Sequence, residues 1–166
     1  MSHQQSQRFI FRACTLAQAL ALISLTFLLS ACGFFFSADT GPTPDKAHAV
    51  VRTAYSQMGK KYRLGGASPQ KGFDCSGLLY WAYRQNGIKI PRVSKEQAKA
   101  GRGVPNGKAR AGDIVVFRTG WNSLHTGIYA GGDTFIHSPR KGKHVKMDHM
   151  QPYWGNKLVA VRRIVN

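Results

Sequence analysis

The rhythm of apolar and polar residues changes repeatedly along this chain. From Ala13 to Leu29 it is almost wholly apolar, interrupted only by Thr15, Gln18, Ser24 and Thr26. Gly41, Pro42 and Pro44 then break any regular element. Beyond them Ala47, Val50, Val51, Ala54 and Met58 recur at helical spacing, with Asp45 placed to cap the start and Gly59 to stop the end. A glycine-rich stretch from Tyr62 to Gly72 leads to a second helix. It is expected to begin near Asp74-Cys75-Ser76, to turn Leu78, Leu79, Ala82 and Tyr83 inward, and to finish at Asn86-Gly87. Ser94 and Gln97, three apart, predict a capping box on a short helix reaching Ala100.

After Gly112 the pattern becomes that of strands. Asp113 to Phe117 reads as a buried strand and Thr126 to Ala130 as another. Gly131-Gly132-Asp133 then makes a tight turn, and Thr134 to His137 closes the hairpin. Lys143 to Met147 is expected at a sheet edge, and Lys157 to Val165 as the last strand. Helices first and antiparallel strands after them imply an α+β fold with segregated layers.

Composition narrows the class. The 166 residues, 43% hydrophobic and 19% charged, fit one globular domain with a real core. The three cysteines, Cys14, Cys32 and Cys75, are far apart and form no CxxC pair, which speaks against a disulfide scaffold and against a structural zinc site. A net charge of +17 favours anionic surroundings. Nucleic acid is discounted as a partner because no recognition motif accompanies the basic residues.

The first 31 residues of the pattern read as an address. Arg8 and Arg12 without an acid, then the apolar run, then small residues, predict a signal peptide over residues 1–31. Leu29-Ser30-Ala31-Cys32 resembles the bacterial lipobox, which implies cleavage before Cys32 and lipidation of that cysteine. Several acyl chains anchor a protein stably where one does not. Gly33 after the cysteine implies, by the same resemblance, an outer-membrane site facing the periplasm in a diderm organism. Residues 32–45 then read as lipidated cysteine and tether, with a reach on the order of 45 Å, and residues 46–166 as the working domain.

Cys75 is the candidate for chemistry. At the first turn of a helix, free N–H groups and the positive dipole end favour thiolate over thiol, so a thiol partly ionised near neutral pH is expected. A buried structural cysteine is the competing reading. His125 opens one strand of the hairpin and His137 closes the next, so antiparallel pairing can bring both imidazoles together, one to take the thiol proton and one to orient it. Two unrelated polar residues at strand ends are the alternative there. His48, His144 and His149 lie in polar contexts and read as surface residues.

Phe73-Asp74-Cys75-Ser76-Gly77, Ala111-Gly112-Asp113-Ile114-Val115-Val116-Phe117, His125-Thr126-Gly127-Ile128-Tyr129 and Phe135-Ile136-His137 follow one another in the order of the NlpC family. The chain resembles these papain-like cell-wall cysteine peptidases from about Asp45 to its end, including Tyr153-Trp154 and Arg162-Arg163, and is most similar to small lipoprotein murein endopeptidases. The resemblance implies a papain-like fold with Cys75 as nucleophile, His125 as general base and His137 as the polar third member. It also implies Tyr62 as an oxyanion or substrate-positioning group and Asp74 and Ser76 as cleft residues. Arg92 and Gln97 match the motif Pro-Arg-x-Ser-x-x-Gln, although a capping role explains Gln97 equally well. Thr126 stands where the family commonly has Val.

The implied reaction is hydrolysis of amides in peptidoglycan stem peptides by a monomer, with no metal and no organic cofactor. A non-catalytic basic lipoprotein that binds the wall, or a papain-like amidase or acyltransferase, are the alternatives.

Overall fold

The computed structural model describes residues 45–105 and 107–165, so the signal peptide, Cys32 and all but the last residue of the tether lie outside the described residues. The first helix, α1 (Lys46–Tyr55), starts where expected, because Asp45 accepts the Ala47 N–H and caps it. It ends earlier than the apolar pattern suggests. Residues after Tyr55 turn through to Gly59, whose positive φ of 79° suits glycine, and Met58 is left 39% exposed rather than turned inward. A two-residue hairpin, β1 (Ala67–Ser68) and β2 (Gly72–Phe73), then leads into α2 (Cys75–Gln85).

α2 is the central helix. Leu78, Leu79, Ala82 and Tyr83 are fully buried, as their spacing predicts, and they pack with Val50 and Ala54 of α1. The Tyr83 hydroxyl donates to the Gly112 carbonyl just before the sheet begins. α3 (Ser94–Gln97) is shorter than expected, and the capping box does not form: Val93 is the cap residue and makes no side-chain bond there. Gln97 instead turns fully inward.

The sheet has six strands in the order β3 (Arg102–Val104), β8 (Leu158–Arg163), β4 (Ile114–Gly120), β5 (Ser123–Gly131), β6 (Thr134–His137), β7 (Lys146–His149), all neighbours antiparallel. β7 is the edge strand, but it begins three residues later than Lys143, because residues 143–145 pair instead with the segment around Lys60 to Tyr62. β3 and the β1–β2 hairpin have no counterpart in the sequence reading; each is too short for an alternating pattern to register.

One sheet face, with Ile114, Val116, Ile128 and Ile136, joins the helices in the main core. The other face holds a second cluster of Val115, Phe117, Phe135, Met150 and Val161, roofed by Trp154 and Leu158. The buried Arg163 guanidinium meets the Asp113 carboxylate with two bonds, 2.8 and 2.7 Å, and ties the start of β4 to the end of β8.

Candidate active site

Cys75 occupies the first position of α2, and Asp74 caps the helix by accepting the Gly77 N–H at 2.6 Å. The same carboxylate takes the Gly65 N–H at 2.8 Å and two bonds from Arg92, at 3.0 and 2.8 Å. The Ser76 hydroxyl donates to Asp74 and accepts from Arg92. Burial pushes the Asp74 carboxyl up, but the bonds from Arg92, Gly77 and Gly65 prevail and hold it below the usual carboxylate range. The helix start is thus locked from three directions. Gly77 must be glycine here, since a Cβ would overlap the Gly66 carbonyl oxygen.

The backbone N–H groups of Thr126 and Ser76 approach the Cys75 thiol, and the Thr126 hydroxyl lies beside it while its hydrogen goes to Gln97 Oε1. These donors favour thiolate, yet burial and then the negative Asp74 outweigh them, and the thiol is pushed up rather than down. The expectation of a thiol partly ionised near neutral pH is therefore corrected: helix-start polarity is real but smaller than the cost of burying the charge. Tyr62 lies close enough for Cys75 and Asp74 to add to burial in raising its phenol, which stays a neutral donor.

The imidazoles meet on the opposite side of Thr126. Ile128 pairs with Ile136, which sets His125 diagonally from His137 on one face of the hairpin. Gly127 between them leaves the space that the Phe135 ring occupies. His125 Nε2 and His137 Nδ1 are 2.7 Å apart, and His137 Nε2 is 3.0 Å from Asp148 Oδ2. Lys146 and the Trp154 indole N–H also bond Asp148, at 2.7 and 3.3 Å. Burial raises the Asp148 carboxyl, but Lys146 and His137 bring it below the ordinary range, so it is an anion and can only accept. His137 Nε2 must then carry hydrogen and its Nδ1 must accept. His125 Nε2 in turn must donate, which leaves His125 Nδ1 bare as a base.

Burial and then the neighbouring His137 push the His125 pKa down to about 3, and burial pushes His137 down to about 4 against the pull of Asp148. Both rings are neutral near pH 7. Trp154 stacks on His125 with centroids 5.2 Å apart and meets His137 edge-on at 5.3 Å.

Gln97 joins the two halves. Its Nε2 donates to the Ser76 and Pro91 carbonyls at 3.0 and 2.8 Å, and its Oε1 accepts the Thr126 hydroxyl at 3.1 Å. A fully buried side chain thus bridges the residue after Cys75 to the residue after His125.

Residues 59–163 match the model of the NlpC/P60 family. The chain belongs to the NlpC/P60 family. It is 34% identical over 142 residues to murein DD-endopeptidase MepH of Escherichia coli K12, covering 82% of this chain and 52% of that protein. It is 39% identical over 121 residues to a γ-D-glutamyl-L-lysine dipeptidyl-peptidase of Bacillus subtilis, covering 70% of this chain and 40% of that one. The chain therefore spans about half or less of the length of these relatives. An NlpC/P60 protein from Bacillus cereus superposes with a TM-score of 0.68 at 31% identity, over 72% of this chain and 40% of the other. The α+β, papain-like fold expected of an NlpC/P60 chain is the fold observed.

Within this NlpC/P60 domain the structure brings His125 and His137 into direct contact and sets Cys75, Asp74, Ser76 and Tyr62 around one helix start. Cys75 meets the histidine strand through Thr126. Two members of the site escaped the sequence reading. Asp148 lies one residue past the expected strand Lys143–Met147, and a lone acid among lysines and histidines gives no periodic signal. Trp154 was noticed within Tyr153-Trp154, but nothing in that dipeptide says which rings it covers. His48, His144 and His149 are exposed, as expected. Among the described residues no group of three or more His, Cys, Asp or Glu side chains is placed to hold a metal ion.

Proposed function

We propose that this protein is a lipid-anchored cysteine endopeptidase that hydrolyses amide bonds in the peptide stems or crosslinks of bacterial peptidoglycan. The observation that carries the reading is the relay Asp148–His137–His125, which leaves one imidazole nitrogen bare beside the strand that touches Cys75. A fixed tautomer with one imidazole nitrogen left free is what a general base needs. The relatives, a murein DD-endopeptidase and a γ-D-glutamyl-L-lysine dipeptidyl-peptidase by name, support the substrate class.

In this reading the reaction starts from a neutral thiol and a neutral imidazole. Cys75 Sγ attacks the carbonyl carbon while its proton passes to His125 Nδ1. The resulting imidazolium is stabilised through His137 by the Asp148 anion, as in other nucleophile–base–orienter triads. The oxyanion is met by the Cys75 backbone N–H, which as the first of its helix has no carbonyl partner there, and by the Tyr62 phenol. The C–N bond then breaks, His125 protonates the departing amine, and a thioester remains. Water attacks the thioester, His125 takes its proton, and the acid and the thiol are released. The chemistry needs neither a metal nor an organic cofactor. Asp74 and Ser76 border the cleft and, with Arg92, hold the nucleophile's helix in place.

Lipidation at Cys32 and a tether over residues 32–45 complete the proposal, placing the domain as a monomer at the cell envelope, on the periplasmic side of the outer membrane in a diderm. Among the described residues no helix is long and apolar enough to cross a membrane.

The test is digestion of purified sacculi and defined muropeptides, followed by mass spectrometry. The intact chain releases stems cleaved with addition of one water, and Cys75→Ala and His125→Ala lower the rate by roughly a thousandfold or more. Unchanged muropeptide release by Cys75→Ala would leave only wall binding. Product masses that show transfer to an amine would replace hydrolysis with acyl transfer.

A further inference from the structure

A cleft of about 880 Å³ lies on the imidazole side of the site, lined by His125, His137, Arg140, Lys143 and Lys146 but not by Cys75. Tyr153 and Trp154 also line it. Asp148 is the single carboxylate in this lining, and its oxygens are already engaged by Lys146, His137 and Trp154. Arg140 and Lys143 are both exposed and form no ion pair with another described residue. The cleft therefore carries uncompensated positive charge.

That charge sits on a loop fixed at both ends to the side of the molecule that bears Cys75. The Ser138 hydroxyl donates to the Phe73 carbonyl at 2.7 Å, and the Tyr62 N–H donates to the Lys143 carbonyl at 2.8 Å. Val145 and Lys60 exchange a further backbone bond at 2.8 Å. The backbone that carries the two cations is thus tied to the segments flanking the candidate nucleophile's helix, which limits how far a recognition subsite there can move.

His125 must hand its proton to the departing nitrogen, so the departing half of the substrate lies on the His125 side of the sulfur. We infer that Arg140 and Lys143 bind a free carboxylate on the departing half, close to the leaving nitrogen, so that the enzyme selects amides whose leaving amine sits on a carboxylate-bearing carbon. The inference rests on the peptidase reading above and deepens it. Crosslinks between stems differ in this respect: the carbon that bears the leaving amine carries a carboxylate in diaminopimelate-type walls, an amide where that group is amidated, and hydrogen in lysine-type walls.

The test uses two crosslinked dimers that differ only in whether this carbon bears a carboxylate or a carboxamide. The intact chain is expected to favour the carboxylate in kcat/KM by about tenfold, because a charge-assisted bond is lost in the amide. Arg140→Ala combined with Lys143→Ala should bring the ratio near one by raising KM for the carboxylate alone, with the carboxamide dimer turned over as before. Salt at 0.5 M should weaken the preference in the intact chain. Equal rates on both dimers, or a double variant that slows both alike, would overturn the subsite.

A second arm does not depend on turnover. Calorimetry with Cys75→Ala measures binding of the monomeric stem that carries the free amine, in carboxylate and carboxamide forms. Tighter binding of the carboxylate, abolished by the double substitution, supports the subsite even if neither dimer is cut, an outcome that would count against the peptidase reading alone. Equal binding overturns it.

Discussion

Asparagine at position 148 would keep the size of the side chain and change which partner donates. An amide NH₂ facing His137 Nε2 would make that nitrogen the acceptor, move the ring hydrogen to Nδ1, and oblige His125 Nε2 to accept. The hydrogen of His125 would then sit on Nδ1, where the thiol proton has to go. Asp148→Asn is therefore expected to cut kcat by roughly a hundredfold with KM little changed, by the same tautomer fault that disables other triads. Nitrogen NMR of labelled His125 should show the hydrogen moving from Nε2 to Nδ1; an unchanged ring with full activity would remove Asp148 from the relay. At this scale Cys75 and His137 stand at the element boundaries where the sequence places them, whereas His125, expected to open its strand, lies two residues inside β5. The direction of the thiol pKa was not legible, since it depends on how deeply the helix start is buried and on Asp74 beside it, which no local pattern reports.

Gln97 acts between elements. It spans from the Ser76 carbonyl on α2 to the Thr126 hydroxyl on β5, and α3 exists largely to present it. Gln97→Leu fills nearly the same volume but strands two buried carbonyls and a hydroxyl, at about 1–3 kcal/mol for an unsatisfied buried group. Urea unfolding should show that loss. Turnover should also fall, with iodoacetamide reacting at an altered rate with Cys75, because α2 and β5 would no longer be held in register. A stability loss with unchanged thiol reactivity would reduce Gln97 to a packing residue.

The sequence pattern predicted α1, α2 and the β5–β6 hairpin because each has a regular repeat of buried positions and a capping or turn residue at its end. It left Gln97 open between a capping role and a motif match, because Ser-x-x-Gln looks the same whether the amide folds back on its own helix or reaches into the core. The strand β3 and the shifted start of β7 depend on distant pairing partners, which spacing alone does not encode.

For the molecule as a whole, the buried histidines link folding to acidity. His125 and His137 have folded-state values of about 3 and about 4, against an ordinary value of 6.5. Between those limits the unfolded chain binds more protons than the folded one, so stability is fully present above about pH 6.5 and is lost as pH falls toward 4. The depressed carboxyls Asp74 and Asp148 act in the same sense at lower pH, because they too must be protonated on unfolding in acid. Thermal unfolding followed from pH 7.5 to pH 4.5 should show a falling midpoint, and His137→Asn should flatten that slope. A midpoint that rises on acidification would contradict the burial of neutral imidazoles.

The sulfur and the rings proposed to serve it come from different layers, one from a helix early in the chain and the others from strands that follow later. Gln97 and Thr126 close the gap only once those layers have docked. A newly made or partly unfolded copy would therefore carry every one of these groups without the geometry that couples them.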